Sequence, residues 1–494
     1  MVIGSGVAGL TAAALLAHYG RSVTVLEAHS SSGGCLHSWS RPTSSGVCHF
    51  DTGASLFSGL DHRPTDNPLA AVLDLLQIRV PTVRIADNQT ALHFQEGIVR
   101  TRIGGAGFAA ALGDTLGRPA ERDWHDLTQI CAELGTDATA VHPLAVRYDG
   151  AIAYTAGLRR PYKLWTALAS QRRLGDRSFG SLARSTCSSP AFLLWLDRLC
   201  RATAGSNMDT VTASYMVRAF TELYSEEAVH EYPIGGPQAL ADALVAGVTA
   251  RGGEVRLGAR VVEILREGGK NRKGKACGVM LADGTAVKAR VAVISNATVW
   301  DTLALCPGLD VVGSESSSSS SSEVAAAAPI TSASATYVES TKKLKKHDSW
   351  LHLHTAFRRS TLPQSPNPIP FHSFFFREDL LGDADAWPTV CVPTVVDPGS
   401  NPPDVHCMHA YYAEPYAPWE EVAGAGKRAV YRARKEEKAA KAWRLAELAV
   451  PGCGEDPLCV HIGYESYQNF IYMPLRTIDL EIDLFVNLSF PFSL

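Results

Sequence analysis

The chain has 494 residues, of which 46% are hydrophobic and 19% charged, and its formal net charge is −4. This is globular composition with apolar material for a large core, and the length allows roughly two to four domains. No basic excess points to nucleic acid, so none is expected as a partner.

The 11 cysteines include no Cys-x-x-Cys pair, which argues against a zinc ribbon or thioredoxin-like site. They read as reduced, mostly buried thiols. No run of about 18 apolar residues predicts a transmembrane helix, and no signal or transit peptide precedes the first strand.

In chain order, residues 1–60 predict strand, glycine turn, helix, strand and glycine-rich loop. Met1-Val2-Ile3 runs straight into the turn, where such a strand usually has about five residues. A truncated N-terminus is therefore expected. Residues 10–19 are rich in alanine and leucine, which favours helix, and Gly20 ends it. The β-branched stretch 22–26 predicts a strand that stops at Glu27.

Residues 61–230 are mixed, with helical apolar spacing over 70–76, 192–200 and 215–224. Residues 231–304 return to an α/β pattern. A helix is expected over 238–250 and strands over 254–257 and 261–265. A hairpin is expected from 277 to 290 about Asp283-Gly284, then a strand over 291–295 that ends at Asn296. Residues 313–334 are of low complexity, an unbroken serine run followed by four alanines, and read as a disordered insertion. Aromatic strands resume over 335–420, and a charged amphipathic helix is expected over 427–448.

Gly4-Ser5-Gly6-Val7-Ala8-Gly9 fits G-x-G-x-x-G, with a strand before it and a helix after it. Gly4 permits the tight turn, Gly6 lets a pyrophosphate approach the backbone, and Gly9 lets helix and strand pack closely. The helix N-terminus offers N–H groups and a positive dipole end to phosphate. Glu27 follows Gly9 by 18 residues, where a carboxylate accepts hydrogen bonds from ribose hydroxyls. This much leaves FAD and NAD both open. Gly33-Gly34 closely follows the acidic residue. In flavoproteins similar to amine oxidases and phytoene desaturases, a glycine pair here continues the FAD cradle.

Longer stretches narrow the likeness. They are Phe50-Asp51-Thr52-Gly53-Ala54-Ser55-Leu56-Phe57-Ser58-Gly59-Leu60 with Asn67-Pro68-Leu69, Glu231-Tyr232-Pro233-Ile234-Gly235-Gly236, Ser295-Asn296-Ala297-Thr298-Val299-Trp300-Asp301-Thr302-Leu303, Leu351-His352-Leu353-His354, and His409-Ala410-Tyr411 with Glu414-Pro415-Tyr416. Through them, over about residues 2–463, the chain resembles the carotenoid cis–trans isomerases of plants, algae and cyanobacteria. These belong to the phytoene desaturase-like branch of FAD oxidoreductases. The resemblance implies an α/β fold, with a Rossmann-like FAD-binding domain built from discontinuous segments (1–75 and 231–305). A mixed α+β substrate-binding domain would take 76–230 and 335–425, around the insertion 306–334. A charged helix and return strand would follow over 426–463. Val261 would contact the adenine through its backbone, and Asn296 would end the strand that returns to the cofactor.

The implied reaction is isomerisation of a poly-cis carotenoid, with reduced FAD (FADH2) and no net redox change. The implied substrate is a long apolar polyene, taken up through peripheral membrane association in a plastid. After Gly463 the resemblance stops. The family's later motif rich in Gly, Asp and Pro, which contacts FAD, is not found in the tail 464–494, so a truncated or misspliced chain is expected. The alternatives are a carotenoid or retinoid desaturase or saturase, since Cys35 and His37 lie where retinol saturases also have cysteine and histidine, or a truncated non-catalytic flavoprotein-like chain. No general acid or base is nominated. No metal is expected: His352 and His354 share a strand face without further visible ligands, and read as packing residues. Lys342, Lys343, Lys345 and Lys346 read as a solvated face. The oligomeric state is left open.

Overall fold

A computed structural model describes residues 1–138, Leu174, 177–465 and Leu484–Val486, apart from 54, 66, 268–273, 308–337, 340, 345–348, 366, 378–379, 381–387, 416 and 423–427. The serine-rich insertion lies outside the described residues.

The strand Val2–Ile3 is the centre of a five-stranded parallel sheet. It pairs with Thr24–Leu26 on one side and Val293–Ser295 on the other, and Glu254–Arg256 and Leu484–Val486 form the two edges. Val2, Val25 and Val293 have no solvent exposure, as expected of a parallel sheet covered on both faces. The sheet is thus assembled from chain segments hundreds of residues apart, an α/β doubly wound arrangement. Its fifth strand lies in the tail 464–494, for which the sequence predicts no element. Backbone hydrogen bonding depends little on side-chain identity, so a tail without the family motif still pairs in register with Val293–Ser295.

The helices Val7–His18 and Pro237–Thr249 pack against each other. Leu10, Leu240 and Leu244 share a core with Leu69 and Leu73 of the helix Pro68–Leu76. Ala13, Ala14 and Ala17 let the first helix lie close on Val2, Val23 and Val25. The Asn67 side chain caps Pro68–Leu76, accepting from the Leu69 N–H at 2.9 Å.

The second unit is a seven-stranded mixed sheet. Its order is Pro457–Glu465, Ser349–Arg358, Val405–Glu414, Thr389–Cys391, His372–Phe375, Thr90–His93 and Ile98–Val99. Alternation along the central strands divides it into two faces. Leu351, Leu353, Phe357, Met408, Ala410 and Tyr412 pack against Ala442, Leu445 and Ala446 of the helix Arg428–Ala449. Ala356, Val405 and Cys407 point the other way, onto Cys48 and Phe50 of the hairpin formed by Ser38–Thr43 and Gly46–Asp51. Central strands covered on both faces are buried almost throughout, as Val405–Glu414 is.

A helical lobe completes the molecule. Trp124, Phe179, Phe192, Trp195 and Phe220, from helices Arg118–Ala138, Phe179–Thr186, Pro190–Ala204 and Ala213–Glu222, form its core. Phe374 and Phe376 reach into that core from the sheet, joining lobe and sheet. Among the described residues no helix is long and apolar enough to cross a membrane.

Candidate functional site

The glycine turn is shaped by contacts that no larger residue could make. Gly4 has φ +90°, a left-handed conformation that favours glycine. A Cβ on Gly9 would stand 2.3 Å from the Gly4 carbonyl oxygen, so the helix and strand approach closely only because Gly9 has no side chain. A Cβ on Gly6 would lie 2.7 Å from Nδ2 of Asn296. Asn296 ends its strand by donating its N–H to the Ile3 carbonyl at 2.7 Å, which wedges its side chain against the turn. Ser5 is fully buried, and Val7 and Ala8 open the helix. The helix N-cap is Gly6, which makes no side-chain capping bond, so the dipole end is not covered by a cap.

The second glycine pair lies directly on the first turn. The Gly33 N–H donates to the Ser5 carbonyl at 3.0 Å, and Gly6 and Gly33 form a parallel bridge. Gly33 and Gly34 have φ +116° and +59°, and a Cβ on Gly34 would lie 3.0 Å from the Gly6 Cα. Five glycines and Asn296 thus make one bare-backbone concavity at a helix N-terminus. That is the shape and polarity a dinucleotide diphosphate requires, and the residues present fit it.

Glu27 sits at the end of the second strand with both carboxylate oxygens engaged. Oε2 accepts from the Ser5 N–H and the Ser5 hydroxyl, each at 2.7 Å, and Oε1 accepts from the His29 N–H at 2.8 Å. These three bonds fix its orientation and leave about one of a carboxylate's roughly four acceptor sites for a ribose hydroxyl. Val261 begins the strand that follows a backbone crossing over Glu27. There the Ala259 N–H donates to the Glu27 carbonyl at 2.7 Å. Gly4, Gly6, Gly9, Glu27, Gly33, Gly34 and Asn296 therefore meet, and Val261 lies beyond Glu27 on the flank.

A polar layer beside this cradle was not assigned roles from the sequence. His37 donates from Nδ1 to the Gly34 carbonyl at 2.7 Å and accepts from the Thr52 hydroxyl at 3.1 Å. Asp51 is buried at the end of the hairpin. The Tyr232 hydroxyl donates to its Oδ2 at 2.6 Å and the Ser38 hydroxyl to its Oδ1 at 3.2 Å. Burial pushes the Asp51 carboxyl up to about 6, against the lowering effect of the two hydroxyl donors. Gly236 has φ +80°, and a Cβ there would stand 2.6 Å from Asp51 Oδ1. Glu231, next in sequence to Tyr232, serves the fold: it accepts from the backbone N–H groups of Leu60, Asp61 and His62 and from Thr82. The signal in the sequence was an acid beside an aromatic residue in each of two stretches, Phe50-Asp51 and Glu231-Tyr232.

The sheet presents histidines toward the same hairpin. His354 Nε2 donates to the Asp51 carbonyl at 2.9 Å, and Trp39 packs edge-on against His354 and His461. His409, from the neighbouring strand, stacks on His354 with ring centroids 4.3 Å apart. The sequence reading had no third ligand candidate for His352 and His354. Strand pairing supplies one, because His409 lies opposite His354 although it is 55 positions further along the chain, a spacing that sequence alone does not connect.

A cavity of about 40 Å³ lies where the sheet meets the helical lobe, lined by Leu56, Ile103, Tyr224, His230, His372 and Phe374 among others. It has room for a few waters, not for a long polyene.

Comparison with known proteins agrees with this geometry. Residues 7–301 match the family described as flavin containing amine oxidoreductase. The chain is 25% identical over 462 residues to prolycopene isomerase, chloroplastic, of Arabidopsis thaliana, covering 92% of this chain and 69% of that protein. It spans 62% to 65% of the length of the other plant prolycopene isomerases it matches. A shorter match, 45% identical over 92 residues, joins it to a neurosporene-forming phytoene desaturase of Rhodobacter capsulatus, covering 19% of this chain and 16% of that one. An oxidoreductase from Methanosarcina mazei shares the fold at a TM-score of 0.59 and 18% identity, over 94% of this chain and 87% of its own. The chain belongs to the family of flavin-containing amine oxidoreductases, and membership implies FAD as the cofactor.

Proposed function

We propose that the protein isomerises cis double bonds of a poly-cis carotenoid, using FAD in its reduced form without net redox change. The observation that carries this reading is the likeness to plant prolycopene isomerases over 92% of the chain. The chloroplastic designation of those relatives supports a plastid location, and an apolar substrate that lives in lipid supports a peripheral membrane association.

Gly4, Gly6, Gly9, Gly33 and Gly34 hold the diphosphate on bare backbone, helped by the helix that Val7 and Ala8 begin. Ser5 orients Glu27, which receives a ribose hydroxyl and repels a 2′-phosphate. Asn296 supports the turn from below, and Val261 flanks the adenine. A reduced flavin held there would supply transient electron or proton donation to one double bond of a polyene, taken back after the bond has rotated so that no net redox change results. The buried sheet face and the Trp39–Phe50 stack exclude water beside the cradle. Asp51 holds a proton at slightly acid pH.

A second reading, desaturation or saturation with net electron transfer, is favoured by the 45% identity to the phytoene desaturase over 92 residues. One experiment separates the two. Purified protein is checked for bound flavin by visible absorbance, then given tetra-cis lycopene with a flavin reductant, and the products are resolved by isomer and by mass. Isomers of unchanged mass support isomerisation. A changed hydrogen count replaces it with desaturation or saturation, and a colourless protein that takes up no added FAD refutes both.

A further inference from the structure

Three histidines meet on the sheet face turned toward the hairpin Ser38–Thr43 and Gly46–Asp51. His352 and His354 alternate along Ser349–Arg358, and the antiparallel register sets His409 opposite His354. All three are at most 3% exposed. One ring nitrogen from each lies within 4.8 Å of the other two.

The protonation pattern follows from the bonds. A neutral imidazole has one donor and one acceptor nitrogen. The Asp51 carbonyl only accepts, so His354 Nε2 carries the proton and Nδ1 is a bare lone pair. That Nδ1 is buried and meets no hydrogen-bond donor. A far nitrogen tied to a backbone carbonyl, with a near nitrogen bare, is the arrangement of a metal-bound histidine. His352 Nδ1 and His409 Nε2 approach to 2.5 Å, so a proton or a cation must separate their lone pairs.

We propose that His352 Nδ1, His354 Nδ1 and His409 Nε2 bind a divalent transition ion of the zinc type. Imidazole nitrogen suits zinc and not calcium or magnesium, which take oxygen ligands. Bonds of about 2.0–2.1 Å in tetrahedral geometry set the nitrogens about 3.3 Å apart. The His352–His409 pair therefore opens by under an ångström, and the stacked rings tilt until their lone pairs converge. The fourth position falls to water or to Tyr411, whose ring centroid lies 4.6 Å from that of His409. The ion would clamp the strands Ser349–Arg358 and Val405–Glu414 together, and through His354 and the Asp51 carbonyl it would fasten the hairpin of the cofactor unit to the sheet. The site does not depend on the proposed carotenoid chemistry.

The test is metal content and spectrum. The full chain, expressed with added Zn2+ and desalted, should carry about one zinc per chain by mass spectrometry. The variant His409→Gln should carry essentially none while keeping the far-UV circular dichroism of the wild type. If that variant does not fold, wild type unfolded with chelator and refolded with Co2+ decides the matter. Intense d–d absorption of tetrahedral Co2+, abolished by Zn2+, supports the site. Wild type with background zinc and no such absorption after refolding would overturn it, leaving a metal-free histidine stack.

Discussion

Asp51→Asn tests whether a buried charge is retained at a cost to stability. In the folded protein the carboxyl is raised from 3.8 to about 6 by burial. A shift of that size corresponds to about 3 kcal/mol between the two protonation states. The sign follows from linkage. A folded pKa above the unfolded one favours the protonated form, so this contribution is fully present below pH 3.8 and is lost as pH rises through about 6. At pH 8 the wild type bears the whole penalty. Asparagine is nearly isosteric, and its carbonyl can still accept from the Tyr232 hydroxyl that now donates to Asp51 at 2.6 Å. Exchanging a charged acceptor for a neutral one forfeits about 1 kcal/mol. The variant should therefore be about 2 kcal/mol more stable than wild type at pH 8. The advantage should shrink through pH 6 and vanish or reverse near pH 4. Urea unfolding of the two apoproteins from pH 4.5 to 8 measures it. A stability difference that does not change over that range would refute the reasoning.

Gly9→Ala places a Cβ 2.3 Å from the Gly4 carbonyl oxygen, so the turn must distort. The purified variant should lose its flavin absorbance, and retention of stoichiometric FAD would show the cradle to be elsewhere. Glu27→Ala should weaken FAD binding by about 1–3 kcal/mol in equilibrium titration. Unchanged affinity would confine Glu27 to holding Ser5 and His29. Burial lowers His93 and His230 to about 4 and His372 to about 3. Such groups favour the fold above pH 6.5 and lose that contribution as pH falls toward their folded values, so stability should drop from pH 6.5 down to about 4. In urea unfolding, His372→Asn should flatten that slope, and an unaltered slope would exclude His372 as a contributor. Trp195→Ala, in the centre of the helical lobe, should cost about 3–5 kcal/mol by the same measurement.

The glycine turn was legible because its determinants are local. Gly4, Gly6 and Gly9 act within one turn, and Glu27 follows at the end of the next strand. The helices over 238–250 and 427–448 appear as Pro237–Thr249 and Arg428–Ala449, since apolar and charge periodicity is written along a single segment. The strand in the tail was not legible, because the tail was compared by motif. Leu484–Val486 joins the sheet through its backbone, and motif comparison does not see backbone pairing.

The sequence by itself determined the dinucleotide turn, the likeness to a flavin family and most element types, because these depend on residues near one another in the chain. Only the tertiary structure decided that Asn296 closes on Gly6 and that Gly34 stands against Gly6. The burial of Asp51 under Tyr232, and the meeting of His409 with His352 and His354, were also decided there. Each of these joins segments separated by tens to hundreds of residues. Strand register and burial set such contacts, and composition and periodicity do not encode them.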